Sequence, residues 1–131
     1  MSWIRIRHVG PQDKPIPTIW ISTEHLALQG PAFNQQVVLT PSAYEAVLKA
    51  TREFADSLSE HSVGSTEFGS LEVVESANGD ERFLFTVARS GSCRYLTQIV
   101  NAVRSAAAEL TTVMVNVGRR LACSDPAFDR V

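Results

Sequence analysis

Ser70-Leu71-Glu72-Val73-Val74-Glu75-Ser76-Ala77-Asn78-Gly79-Asp80-Glu81-Arg82-Phe83-Leu84-Phe85-Thr86-Val87-Ala88-Arg89 decides the fold, because it reads as a β-hairpin that feeds at once into a helix. Two strand-like runs, Leu71 to Glu75 and Phe83 to Val87, flank Ala77-Asn78-Gly79-Asp80, a turn sequence able to supply positive φ. Side chains alternate along a strand, so the parity of the loop decides which residues share a face. A two-residue loop sets Leu71 and Val73 with Leu84 and Thr86 and leaves Phe83 and Phe85 on the far side beside Glu72. An odd loop aligns Leu71, Val73, Phe83, Phe85 and Val87. The odd loop is the expectation, with both phenylalanines inward.

Downstream, Ser90 or Ser92 is the expected cap of a helix whose buried stripe is Leu96, Ile99, Val100, Val103, Ala107 and Leu110. Beyond Leu110 two periods compete. Thr111, Val113, Val115 and Val117 alternate as in a strand, while Met114, Val117 and Leu121 prolong the helical stripe, and the strand is the reading adopted for 111–121. From Ala122 the tail is expected to be poorly ordered.

Upstream, Ser59 to Phe68 is a polar loop longer than most, the kind that is often functional or mobile. Before it, Thr40 stands where an N-cap belongs and Pro41 at the first helical position. Tyr44, Val47, Thr51, Phe54 and Leu58 follow at helical spacing and place a first helix at about Pro41 to Leu58. Trp3 to Val9 alternates, with Ile4 and Ile6 on one side and Arg5 and Arg7 on the other. Proline at 11, 15 and 17 interrupts, Thr18 to Ser22 resumes as a strand, Glu24 to Gln29 is indeterminate, and Gln35 to Leu39 is a further strand. The predicted fold is α+β, a mainly antiparallel sheet of four to six strands with two amphipathic helices packed on one face.

The 131 residues suit one domain spanning 1–131, and 44% hydrophobic with 20% charged residues is an ordinary globular composition. No apolar run approaches the roughly 20 residues of a membrane-spanning helix. The alternating start is unlike a signal peptide, so a cytoplasmic protein is expected. Cys93 and Cys123 form neither a CxxC pair nor a zinc knuckle, and in that compartment two reduced thiols follow.

Chemistry finds little to hold. Cys93, beside Arg94 at a helix start, has the surroundings that activate a thiol. His8, His25 and His61 all lie far from it in sequence, so a small half-buried core thiol is the expected reading. Ser90 to Arg94 could cradle a phosphate at that helix start, yet it lacks the spacing of a Walker loop or a dinucleotide fingerprint, and capping accounts for it. Gly64-Ser65-Thr66 and Gly69-Ser70 make no nucleophile elbow, and no acid pair stands out for acid–base work. No catalytic residue, metal or cofactor is therefore expected. Nucleic-acid binding would draw on Arg82, Arg89, Arg94, Arg104, Arg119 and Arg120, but the pI is about 5.9 and no aromatic-basic motif accompanies them.

The charges themselves are segregated. Glu45 to Glu81 holds nine acids against two bases, a net of −7, whereas the rest of the chain carries +5. A solvated face is the ordinary meaning of such a run. The functional meaning is a partner-binding surface made by Asp56, Glu60, Glu67, Glu72, Asp80 and Glu81, steering in a basic protein.

In size, acidity and lack of motif, with the loop acids Glu60 and Glu67 and the hairpin acids, the chain resembles the immunity proteins of bacterial toxin systems, including contact-dependent growth inhibition. That resemblance implies neutralisation of a cognate toxin domain by direct binding, the toxin being basic, with a nuclease among the candidates. The rivals are a secretion chaperone or adaptor that binds an effector, and a thiol-dependent enzyme using Cys93. Chaperones of that kind look like dimers that open on an amphipathic helix, whereas this chain opens on a strand.

Overall fold

The computed structural model describes residues 2–10, 16–30, 33–58, 69–105 and 107–128. Six strands appear in chain order: β1 Trp3–Val9, β2 Thr18–Ser22, β3 His25–Gly30, β4 Phe33–Val38, β5 Ser70–Ala77 and β6 Asp80–Ala88. Three helices join them, α1 Pro41–Ser57, α2 Arg89–Val103 and α3 Ala108–Arg120, and a short 3₁₀ turn closes the described chain at Pro126–Phe128. The strands form one antiparallel sheet in the order β4-β3-β2-β1-β5-β6. The α+β reading holds, with three helices in place of two.

Alternation builds the core. Ile4, Ile6, Ile19, Ile21, Leu26, Leu28, Leu71, Val73, Phe85 and Val87 share the inward side of the sheet and are all buried. The helices cover this side with Tyr44, Val47 and Phe54 of α1, Leu96, Ile99 and Val103 of α2, and Leu110, Met114 and Val117 of α3. Thr40 caps α1 by accepting from the backbone N–H of Ala43, and Pro41 occupies the first turn, as expected. At the centre, Phe54, Phe85 and Tyr95 meet with ring centroids 5.1–5.3 Å apart, which joins α1, β6 and α2. Within that cluster the Tyr95 hydroxyl shares a 2.8 Å hydrogen bond with Thr51, and burial pushes its ionisation above the ordinary tyrosine range.

The hairpin corrects the odd-loop expectation. Ala77 pairs with Asp80, so the loop is the two-residue Asn78-Gly79, with φ of 54° and 88°. That is the positive-φ pair a tight hairpin of matching twist requires. The extra residue lies in β6 instead, because Val73 pairs with Phe85 and Val74 with Phe83, leaving Leu84 without an opposite number. Parity was the right constraint and the turn the wrong place to meet it. Above the bulge Phe85 and Val87 face inward as expected; below it Phe83 faces outward and is 59% exposed.

Other expectations also change. The indeterminate stretch after Glu24 becomes β3, held between β2 and β4. Residues 111–121, read as a strand, belong almost entirely to α3, because Leu110, Val113, Met114 and Val117 are buried at helical spacing after the chain breaks at Ala107 (φ −153°, ψ 92°). α2 has no side-chain cap; Ser92 donates backward to the carbonyls of Val87 and Ala88, and the side chain of Ser90 lies outside the described residues. The tail is not loose as far as Phe128. Phe128 is 2% exposed and covers Gly118, where any Cβ would strike its ring. Arg119 donates to the Phe128 carbonyl at 2.6 Å, and Arg104 reaches that of Ala127.

Cys93 and Cys123 form a disulfide, contrary to the reduced-thiol expectation. It ties the N-terminal part of α2 to the segment after α3. The α3 stripe turns that segment back toward α2, a closeness invisible in sequences 30 residues apart.

Candidate interaction surface

The side of the sheet opposite the helices is laid out by the same register. Across its middle run Ala27, Trp20, Arg5, Val74 and Phe83 on neighbouring strands; the next row holds Ser22, Trp3, Ser76 and Glu81; a third pairs Arg7 with Glu72 and Thr86. Trp3 and Trp20 meet edge to face at 4.9 Å, and the Arg5 guanidinium lies 5.4 Å above the Trp20 ring. Val74, on this side, is buried although no described helix covers it. The layer ends at Phe83, on the free edge of the sheet.

The six acids of the sequence reading separate into three groups. Glu72 is engaged: its carboxylate lies 3.0 Å from Arg7 and 3.5 Å from Arg5, both also on the outward side. Neighbouring Glu75, on the inward side, is buried and held at 2.6 Å by Arg52 of α1. Tyr44 packs near it, and burial, followed by the Glu75 and Glu45 charges, raises the Tyr44 ionisation. Asp80 and Glu81 are exposed at the hairpin tip, Glu81 in the row beside Phe83. Asp56 is exposed on α1, in the helix layer and across the sheet from Glu72 and Glu81. Glu60 and Glu67 lie outside the described residues. The structure thus sets Glu81 on the same side as Phe83, places Asp80 at the hairpin tip on the other side of the strand, and leaves Glu72 paired with Arg5 and Arg7 and Asp56 in the helix layer.

Sequence reasoning missed Phe83 as an exposed residue and missed the Trp3–Trp20–Arg5 layer. Signals for both were present. Trp3, Arg5 and Arg7 alternate with Ile4 and Ile6, and Trp20 sits between Ile19 and Ile21, so each lies outward as soon as the isoleucines are placed inward. For Phe83 the signal was the Asn-Gly dipeptide, which favours a two-residue loop. Combined with the need to bury Phe85, it requires a bulge between them.

The other candidates gain nothing. In the disulfide Cys93 has no free thiol, so the nucleophile considered for it is not available in this state. At the helix start weighed for a phosphate, the Ser92 hydroxyl donates to the carbonyls of Val87 and Ala88. No group of three or more metal-ligating side chains occurs among the described residues, and no described helix is long and apolar enough to cross a membrane. Compared with known proteins, the chain matches no protein family, no curated protein and no solved structure.

Proposed function

We propose that this chain is a non-enzymatic protein-binding module of the immunity-protein kind, which neutralises a cationic partner domain through the tip and free edge of the β5–β6 hairpin. One observation supports the reading above others: a bulge at Leu84 turns Phe83 out of the core, 59% exposed, on the same side of the strand as Glu81 and next to the hairpin tip that carries Asp80. Aromatic side chains such as this one are enriched at interfaces, where a partner covers them. Carboxylates around it suit arginines and lysines of a domain that handles phosphate, because they can form charge-assisted pairs with those groups. Bulges at sheet edges are a known means of re-aiming a side chain. Glu72, on the outward side, holds Arg5 and Arg7 in place there.

The cytoplasmic setting was expected from the alternating start of the chain, and reduced cysteines followed from it. The disulfide runs against that setting, since such bonds persist mainly in oxidising compartments, and the reading carries no compartment.

The test is the kinetics of binding to the basic product of the neighbouring reading frame. Charge reversal at both Asp80 and Glu81 should slow association at least about tenfold at low salt and flatten its salt dependence, because exposed charges act on encounter. Phe83→Ala should instead speed dissociation, because an anchor acts after encounter. Unchanged rates in both folded variants would remove the hairpin from the interface.

A further inference from the structure

The second edge of the sheet is built in the opposite way. β4, Phe33-Asn34-Gln35-Gln36-Val37-Val38, carries no charge and no proline over its whole length, and among the described strands it pairs only with β3. An edge strand presents a row of backbone donors and acceptors, and proteins blunt it with charges, proline or bulges. β6 shows these devices, with Asp80, Glu81 and Arg82 at its start and a bulge at Leu84. β4 shows none. Val38, on its outward side, is 79% exposed.

Beside β4 on the inward side runs an open groove of about 750 Å³, lined by Leu28, Val37, Val113 and Val117 and bordered along α3 by Glu109 at one end and Arg119 and Arg120 at the other. We infer that β4 pairs antiparallel with β4 of a second copy of this chain, forming a two-fold dimer with one continuous twelve-stranded sheet and joining the two grooves across the axis. Three features favour a second copy over another strand. An uncharged strand meets itself without like-charge repulsion, and its side-by-side glutamines can bond to each other as amide ladders do. A perpendicular two-fold keeps the inward sides of both sheets on one side, so neither core is exposed by the pairing. The same axis sets α3 antiparallel to its copy across the joined groove, bringing the Glu109 end of one subunit to the Arg119 and Arg120 end of the other. That is charge complementarity built from one helix against itself.

Sedimentation equilibrium of the full chain tests this. The wild type should fit a reversible monomer–dimer equilibrium. Gln36→Lys, on the exposed outward side of β4, should raise the dimer dissociation constant at least about tenfold, as expected when like charges face each other near the axis. Mixing Gln36→Lys with Gln36→Glu should restore association as a heterodimer. Far-ultraviolet circular dichroism shows whether each variant is folded, and Val38→Lys serves as the second variant if one is not. Asp80→Lys, at the guarded edge, should leave the dimer intact. A wild type that is monomeric at every soluble concentration would overturn the inference, and so would a dimer that Gln36→Lys and Val38→Lys leave unchanged. A monomer that binds a foreign extended peptide along β4 would overturn it in favour of strand donation by another protein.

Discussion

The two flanks of the sheet solve the same problem differently. On the β5–β6 flank the inward side is sealed by α1 and α2 around Phe54, Phe85 and Tyr95, and the free edge is guarded by charge and a bulge. On the β3–β4 flank the edge is uncharged, and its inward side opens into the groove under α3. The first flank therefore holds most of the packing, and at its edge displays one chosen aromatic. The second is less filled and leaves its backbone available. Stability and association should accordingly separate by flank.

The largest expected effect comes from the sealed side. Leu71→Ala on β5, where the side chain is 1% exposed, should cost about 2–5 kcal/mol in denaturant melts, whereas Val37→Ala on half-buried β4 should cost under about 1 kcal/mol. Similar losses at the two sites would erase the contrast in packing. Next in size is the clasp that ties α2 to the segment after α3. Replacing both Cys93 and Cys123 by alanine should lower stability by about 2–4 kcal/mol relative to the oxidised wild type, since the bond closes a loop of 30 residues. Identical melting of the variant and the oxidised wild type would mean that the bond adds nothing.

Between the flanks, His8 lies on the inward side of β1, with its Nδ1 buried and unpartnered among the described groups. Burial holds its ionisation below the ordinary value of 6.5. The neutral form is thus favoured in the folded chain, while the unfolded chain takes up a proton near 6.5. Stability should be full above that pH and decline as pH falls through it, until the folded His8 protonates too. Thermal melts from pH 8 to pH 5 should show this decline, and His8→Gln should reduce its slope. A slope identical in the variant would assign the dependence to other groups. The smallest effect is at the guarded edge, where reversal of the exposed Asp80 and Glu81 should shift stability by no more than about 0.5 kcal/mol while changing association. A large loss of stability there would make those carboxylates part of the fold.

Much of the layout was legible in the residues because it follows from period. Ile4 and Ile6, Ile19 and Ile21, and the α1 stripe from Tyr44 to Phe54 all lie where alternation or helical spacing put them. What escaped were features decided by tertiary pairing. A bulge at Leu84 moves a side chain from one face to the other with no change in composition. The stretch 111–121 satisfies two periods, and the core chose the helical one. The disulfide depends on α3 folding back toward α2, which the strand reading did not allow. At the candidate surface, the acids at the hairpin tip were legible as exposed, but the engagement of Glu72 by Arg5 and Arg7 depends on the β1–β5 register.

The bulge links these threads, since it buries one phenylalanine and presents the other for binding. Residues two apart on a regular strand share a face and should behave alike. Denaturant melts of Phe83→Ala and Phe85→Ala compare them directly. The structure predicts a loss of about 3–5 kcal/mol for Phe85 and under about 1 kcal/mol for Phe83; comparable losses at both positions would contradict the bulge, and with it the surface proposed for binding.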